Sequence, residues 1–173
     1  MQFQIPQAVE ILSQMPQTLR SLLGNLSDEW VFASEGEDKW NSFDVVGHYI
    51  QGEETDWIPR VKIILAQGEN LTFEPFDRFA QLEISKDKTI SELLQTFAEL
   101  RRKNIEILKS LNLTDEQLKL KGTHPELGEV SLEQLLATWV VHDLTHIRQI
   151  AVTFAKQYTE NVGEWKNYLS ILQ

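Results

Sequence analysis

The sequence predicts an all-α protein, a four-helix bundle with long connecting loops. Apolar residues recur every three or four positions in four separate stretches, and no stretch alternates apolar and polar residues with the period of two that marks a strand. The 173 residues are 42% apolar and 24% charged, which is typical of a single globular domain spanning residues 1–173. Four amphipathic helices that share one interior pack as a bundle.

The first two predicted helices span residues 7–23 and 42–66. Ser42 is a candidate N-cap for the second, because its hydroxyl can accept a hydrogen bond from the first turn. Each helix contains an internal proline, Pro16 and Pro59. Proline lacks the amide donor and crowds the preceding turn, so both positions predict kinks.

The third and fourth predicted helices span residues 90–111 and 132–158. Thr89 and Ser131 precede them, and each is followed three residues later by Glu or Gln. That spacing indicates a capping box, in which the two residues satisfy each other's backbone amides. Both helix starts are therefore well defined in the sequence.

The connections are long and irregular. Residues 70–88 are unlike one continuous helix, whereas residues 112–130 predict a short helix near 114–120 followed by a loop at 122–128. The tail, residues 163–173, predicts a short docking helix. Loops of this length usually have a function or cover a site.

The charge and the missing cysteines exclude several classes of function. The net charge is −10, which repels nucleic acids and anionic membranes, so neither is expected as a partner. With no cysteine there can be no disulfide, thiolate metal site or cysteine nucleophile. The N-terminus lacks the pattern of a secretory signal, and no apolar run is long enough to span a bilayer. We therefore expect a cytoplasmic protein.

The strongest chemical signal is a pair of histidines, His142 and His146, on the fourth helix. Residues four apart on a helix differ by about 40°, so both imidazoles point the same way and can share one metal ion. Asp143 follows His142, so the glutamate base of the HExxH zinc-protease motif is missing. The pair could also be hydrogen-bonded core residues, and the spacing alone does not decide between these interpretations.

A third ligand must come from another segment, and His48 and His124 are the two candidates. His124 lies in a loop that contains proline, where histidines are commonly exposed. His48 lies on the second helix, but the centre of that helix's apolar face is more than about 120° away from it. Either this helix buries two faces, or a local irregularity such as a π-bulge changes its register.

Glu53 falls inside the apolar face of the second helix and is the candidate catalytic residue. A buried carboxylate needs a partner. The alternative interpretation is a structural ion pair with an arginine, for which Arg60, Arg101 and Arg148 are the candidates.

Three segments together resemble the DinB-like family of metal-binding four-helix bundles, which includes the YfiT-type metal-dependent hydrolases. Residues 40–48 (WNSFDVVGH) resemble the family's entry into its second helix, and Glu53 falls where the family often has an acidic residue. Residues 124–132 (HPELGEVSL) resemble the loop before its last helix, and residues 142–150 (HDLTHIRQI) its H-x-x-x-H-x-x-Q-I motif. The resemblance implies that His48 joins His142 and His146 as a metal ligand.

The resemblance also implies a divalent metal cofactor and a small-molecule substrate. Histidine ligands without thiolates suit zinc or nickel first, with iron, manganese or cobalt as alternatives. Three protein ligands leave a coordination position open, as in catalytic sites. Some relatives transfer low-molecular-weight thiols to electrophiles and others are described as hydrolases, so the expected activity is thiol transfer or hydrolysis, with residues 73–77 and 124–128 and Glu53 lining the pocket.

Two further interpretations stay open at this stage. The protein could be a non-catalytic metal-binding or stress-related scaffold, in which Glu53 or His124 closes the coordination sphere. Aromatic residues such as Trp30, Phe32 and Trp165 could support a homodimer, although packing beneath the long loops is the preferred explanation for them.

Overall fold

Four long helical units form the body of the protein, which a computed structural model describes for residues 2–77 and 79–173. They are α1 (Ile5–Leu23), the pair α3 (Ser42–Thr55) and α4 (Trp57–Ala66), α6 (Ile90–Ser110) and α8 (Leu132–Lys156). Helices α1 and α3 each pack against both α6 and α8, so the four units share one interior. The predicted all-α architecture is confirmed.

Shorter elements occupy the connections. They are α2 (Asp28–Val31), α5 (Ala80–Ser85), α7 (Asp115–Leu118), strands β1 (Lys121–His124) and β2 (Gly128–Ser131), and two 3₁₀ helices (Gly163–Tyr168 and Ser170–Leu172). Helix α7 confirms the short helix predicted near 114–120. The strands pair antiparallel, with Lys121 opposite Ser131. This hairpin was not predicted, because four-residue strands are too short to show a period of two.

The helix starts follow the predicted capping chemistry with one correction. Thr89 and Ser131 each form a complete capping box at the start of α6 and α8. At α3 the cap is Asn41 and not Ser42, so that prediction is wrong by one residue. The Asn41 side chain accepts a hydrogen bond from the Asp44 amide at 2.9 Å, and the Asp44 carboxylate accepts one from the Asn41 amide at 3.1 Å. The side chains of Asn41 and Asp44 thus satisfy each other's backbone amides, and Ser42 becomes the first helical residue.

The two internal prolines have different effects. Pro16 lies inside α1, which continues without interruption from Ile5 to Leu23. Pro59 lies in the first turn of α4, and the helix predicted over 42–66 breaks three residues earlier, at Asp56. Proline at position 59 cannot bond to the carbonyl of Thr55 and crowds it, so the chain separates into two helices just after Thr55.

Charged and polar side chains cross the middle of the apolar interior. We call Glu53, Arg101, Asn104 and Asp143 the polar layer; their side chains are buried. One apolar cluster lies on each side of it. Members of the first include Leu12, Trp57, Ile105, Leu108 and Trp139, and members of the second include Met15, Tyr49, Leu93, Phe97 and Ile150. On each long helix, the layer marks where one cluster gives way to the other.

The surface aromatic residues divide between packing and exposure. Trp30 packs edge-on against Phe154 at 5.5 Å and Tyr158 at 5.3 Å. Trp165 is 73% exposed, so packing beneath a loop does not explain it. The homodimer stays a prediction. Within the described residues, none of the helices combines the length and apolar character needed to cross a membrane.

Candidate metal centre

Three histidines converge between helices α3 and α8. His48 lies in the middle of α3, and His142 and His146 lie one turn apart on α8. One ring nitrogen from each lies within 4.8 Å of the other two. The Nε2 atoms of His48 and His142 are 2.9 Å apart. The structure therefore brings together the three residues that the sequence motifs suggested.

His48 reaches the site because α3 is buried all round. Every residue from Val45 to Glu53 is buried, and α3 packs against α4, α5, α6 and α8. A central helix of this kind has no single apolar face, so the angle between His48 and the most apolar residues carries no information. Of the two explanations considered, burial of more than one face is confirmed.

Neighbouring groups leave a nitrogen of each ring free for a metal. The Nδ1 atom of His146 lies 2.8 Å from the amide oxygen of Gln149. That contact requires the proton on Nδ1 and leaves a lone pair on Nε2. The Nδ1 atoms of His48 and His142 are buried and lack a hydrogen-bond partner among the described residues.

His48 and His146 are held in their neutral form. Burial, followed by the charges of His146 and His142, lowers the pKa of His48 to about 3. Burial, followed by the charge of His142, lowers the pKa of His146 to about 4. Both imidazoles are therefore unprotonated near pH 7, which is the form that binds a metal.

The donor set fits one divalent transition-metal ion. Metal–nitrogen bonds of about 2.0–2.1 Å at angles of 90–109° place ligand nitrogens about 2.9–3.4 Å apart. The 2.9 Å between His48 and His142 lies within that range. In the described part of the chain, no fourth His, Cys, Asp or Glu belongs to the cluster. Three ligands leave room for an exogenous group.

Aromatic side chains pack around the histidines. Trp40 lies 4.9 Å from His48 between ring centroids, Phe76 meets His48 edge-on at 5.1 Å, and Trp57 meets His142 at 5.1 Å. Tyr49 lies beneath the pair on α8 and donates a hydrogen bond to the Asp143 carbonyl at 2.7 Å. The surroundings of the cluster are therefore predominantly apolar.

Glu53 has the contacts expected of a structural ion pair. Its carboxylate accepts from Arg101 at 2.8 and 2.9 Å, from Asn104 at 3.0 Å and from the Trp139 indole at 3.2 Å. Its side chain is fully buried. These contacts favour the ion-pair alternative with Arg101, and they give no support to the catalytic role, which stays a prediction.

The two loops expected to line a pocket lie differently with respect to the cluster. From residues 73–77, Phe76 contacts His48, as described above. His124 is outside the cluster. Its Nδ1 accepts hydrogen bonds from the backbone amides of Glu126 and Leu127, both at 3.2 Å. These bonds close the turn between β1 and β2. His124 therefore organises a hairpin instead of competing with His48 for the site.

Asp56 lies beside the site, and sequence reasoning gave it no role there. Arg60, which the sequence offered as a partner for Glu53, pairs with Asp56 instead. The Arg60 guanidinium donates to the Asp56 carboxylate at 2.8 Å. Burial raises the pKa of Asp56 to about 6, against the opposing influence of Arg60 and His142. The position of Asp56 depends on the break between α3 and α4, and its only signal in the sequence is the location of Pro59.

Comparison with known proteins agrees with the fold. The family model of the DinB superfamily matches residues 11–150. A solved structure described as "YfiT from Bacillus subtilis is a probable metal-dependent hydrolase with an unusual four-helix bundle topology" is 25% identical, with a TM-score of 0.76 over 89% of this chain and 87% of that chain. No curated protein matches. The family resemblance and the four-helix bundle inferred from the sequence are both confirmed.

Proposed function

Because the chain belongs to the DinB superfamily, we propose that His48, His142 and His146 bind one divalent metal ion that activates a nucleophile for attack on a small molecule. The nucleophile we put first is a low-molecular-weight thiol, which would be transferred to an electrophile. Water is the second candidate, supported by the likeness to the YfiT structure, described as a probable metal-dependent hydrolase.

The observation that carries the proposal is the convergence of three imidazoles on two long helices, with no fourth His, Cys, Asp or Glu of the described residues in the cluster. Helices hold ligands more rigidly than loops do, so the ligand nitrogens are already close to a binding geometry. A bound divalent cation supplies Lewis acidity, which lowers the pKa of a thiol or water and makes it nucleophilic at neutral pH. Zinc and nickel suit these ligands first, with iron, manganese and cobalt as alternatives.

The protein's own residues favour a thiol over water. Trp40, Trp57 and Phe76 cover the histidines with ring faces and edges and limit the number of polar groups that could orient a water molecule. A thiol and an apolar electrophile gain from burial against such surfaces, whereas water does not. Gln149 holds His146 with Nε2 unprotonated.

Metal binding is tested by elemental analysis of protein purified without a polyhistidine tag. We expect about one zinc or nickel per chain in the wild type and none in the variant His142→Ala/His146→Ala. His124→Ala is the matched control, because it removes a histidine outside the cluster and should retain the metal. If the wild type takes up no metal even after incubation with Zn, Ni, Mn and Fe, the proposal is wrong.

The reaction is tested on metal-loaded protein with two panels. One combines low-molecular-weight thiols with model electrophiles, and the other contains hydrolysable esters and amides. Conjugation that is lost in His142→Ala/His146→Ala supports thiol transfer, and hydrolysis without conjugation supports the second candidate. Metal binding with neither activity would leave the non-catalytic scaffold as the remaining explanation.

A further inference from the structure

Metal binding at His142 places a proton on a buried nitrogen. The Nε2 atom of His142 faces Nε2 of His48 at 2.9 Å, so Nε2 is the atom that would bind the ion. A neutral imidazole that binds through Nε2 carries its hydrogen on Nδ1. That Nδ1 is buried and has no hydrogen-bond partner among the described residues. An unpaired buried N–H is unfavourable, so the bound state needs an acceptor there.

The neighbouring carboxylate is placed to become that acceptor. Oδ1 of Asp143 lies 3.6 Å from His142 Nδ1, slightly beyond hydrogen-bond distance. Arg101 donates to Oδ2 of Asp143 at 2.5 Å and to Oδ1 at 3.2 Å. The longer bond is to Oδ1, and a carboxylate has about four lone-pair positions. Oδ1 can therefore accept a further hydrogen bond without losing Arg101.

The rest of the polar layer fixes Asp143 in place. Arg101 is itself held by Glu53, whose two carboxylate oxygens accept only from N–H donors: Arg101, Asn104 and Trp139. Burial raises the pKa of Glu53, and the contacts with Arg101 and Asn104 oppose that shift. Two carboxyl groups thus face one guanidinium, which holds both of them in fixed positions.

We propose that Asp143 is a positioning residue of the metal centre, which accepts the Nδ1 proton of His142 and so orients that ring and strengthens its Nε2 as a ligand. Carboxylates that bind the second nitrogen of a ligand histidine act in this way. The inference rests on the proposed metal binding by the histidines and does not depend on which reaction follows.

The test compares two variants that weaken the same ion pair. Asp143→Asn and Glu53→Gln each replace a carboxyl partner of Arg101 by an amide of similar size, but only Asp143 is next to His142. Zinc affinity is measured by competition with a chromophoric chelator, and folding is checked by helicity and thermal unfolding. We expect Asp143→Asn to bind zinc at least about tenfold more weakly than Glu53→Gln. Equal affinities would overturn the inference.

A second measurement distinguishes positioning from general support. In zinc-loaded protein labelled with ¹⁵N at histidine, the Nδ1 proton of His142 should be slowly exchanging and shifted downfield by the carboxylate. The resonance should move in Asp143→Asn and stay near its wild-type position in Glu53→Gln. If either variant fails to fold, the wild type alone decides, since a fast-exchanging Nδ1 proton overturns the inference. A wild type that takes up none of Zn, Ni, Mn and Fe would instead refute the proposed function, and one that binds another of these metals is tested by the same affinity comparison with that metal.

Discussion

Replacing Gly47 by alanine should destabilise the protein, although alanine is the better helix former. A Cβ atom at position 47 would overlap with Ser85 Oγ and would lie 3.2 Å from Gln81 Cβ and 3.3 Å from the Gln81 carbonyl oxygen. Helix α5 therefore has to move, or Ser85 has to adopt another rotamer. Overpacking of this kind lowers the free energy of unfolding by about 1–3 kcal/mol, and the higher helix propensity of alanine raises it by about 1 kcal/mol. We expect a net loss of up to about 2 kcal/mol in the free energy of unfolding.

The double variant Gly47→Ala/Ser85→Ala tests this explanation. The Ser85 hydroxyl is buried without a hydrogen-bond partner among the described residues, so Ser85→Ala alone should be neutral or stabilising. In the Gly47→Ala background it should also remove the overlap and recover most of the lost stability. Urea unfolding of the four metal-free proteins measures the coupling, expected to be about 1–2 kcal/mol. A Gly47→Ala variant more stable than the wild type, or additive effects, would refute the reasoning.

Two other predictions concern charge. Arg101→Met leaves two buried carboxyl groups without their partner and should lower the free energy of unfolding by about 3–5 kcal/mol. The control Arg102→Met removes an exposed ion pair and should change it by less than about 0.5 kcal/mol. Similar urea midpoints for the two variants would contradict this prediction. In the metal-free protein, the pKa values of His48 and His146 are about 3 and 4, below the value near 6.5 in the unfolded chain. The unfolded state therefore binds more protons between these values. The free energy of unfolding should fall as the pH is lowered from about 6.5 to 4. His48→Asn should weaken this pH dependence, and an identical profile in the variant would rule out the assigned cause.

The sequence was informative at two helix starts and at the histidine pair, where local chemistry determines the structure. Thr89 and Ser131 begin their helices as predicted, because a capping box needs only residues three positions apart. The spacing of His142 and His146 likewise placed both side chains on one side of α8. For these features a single helix contains all the necessary information.

Features that depend on packing between elements were less predictable. An amphipathic-helix argument placed His48 away from the core, and it fails because α3 is covered on every side. The sequence left three candidate arginines as the partner of Glu53, and only the packing of α6 against α3 selects Arg101. Asp56 came beside the site through a helix break that Pro59 causes at a distance of three residues.

The polar layer has a consequence for the alignment of the helices. If one long helix slipped by a turn, about 5.4 Å, a charged side chain of the layer would move opposite hydrocarbon. The apolar clusters on their own would tolerate such a slip far better, since aliphatic side chains can repack with similar volume. The buried polar layer thus favours one longitudinal alignment of α3 with α8 and disfavours the others. Because His48 approaches His142 and His146 only in that alignment, the spacing of the three imidazoles is protected by groups that need never touch the ion.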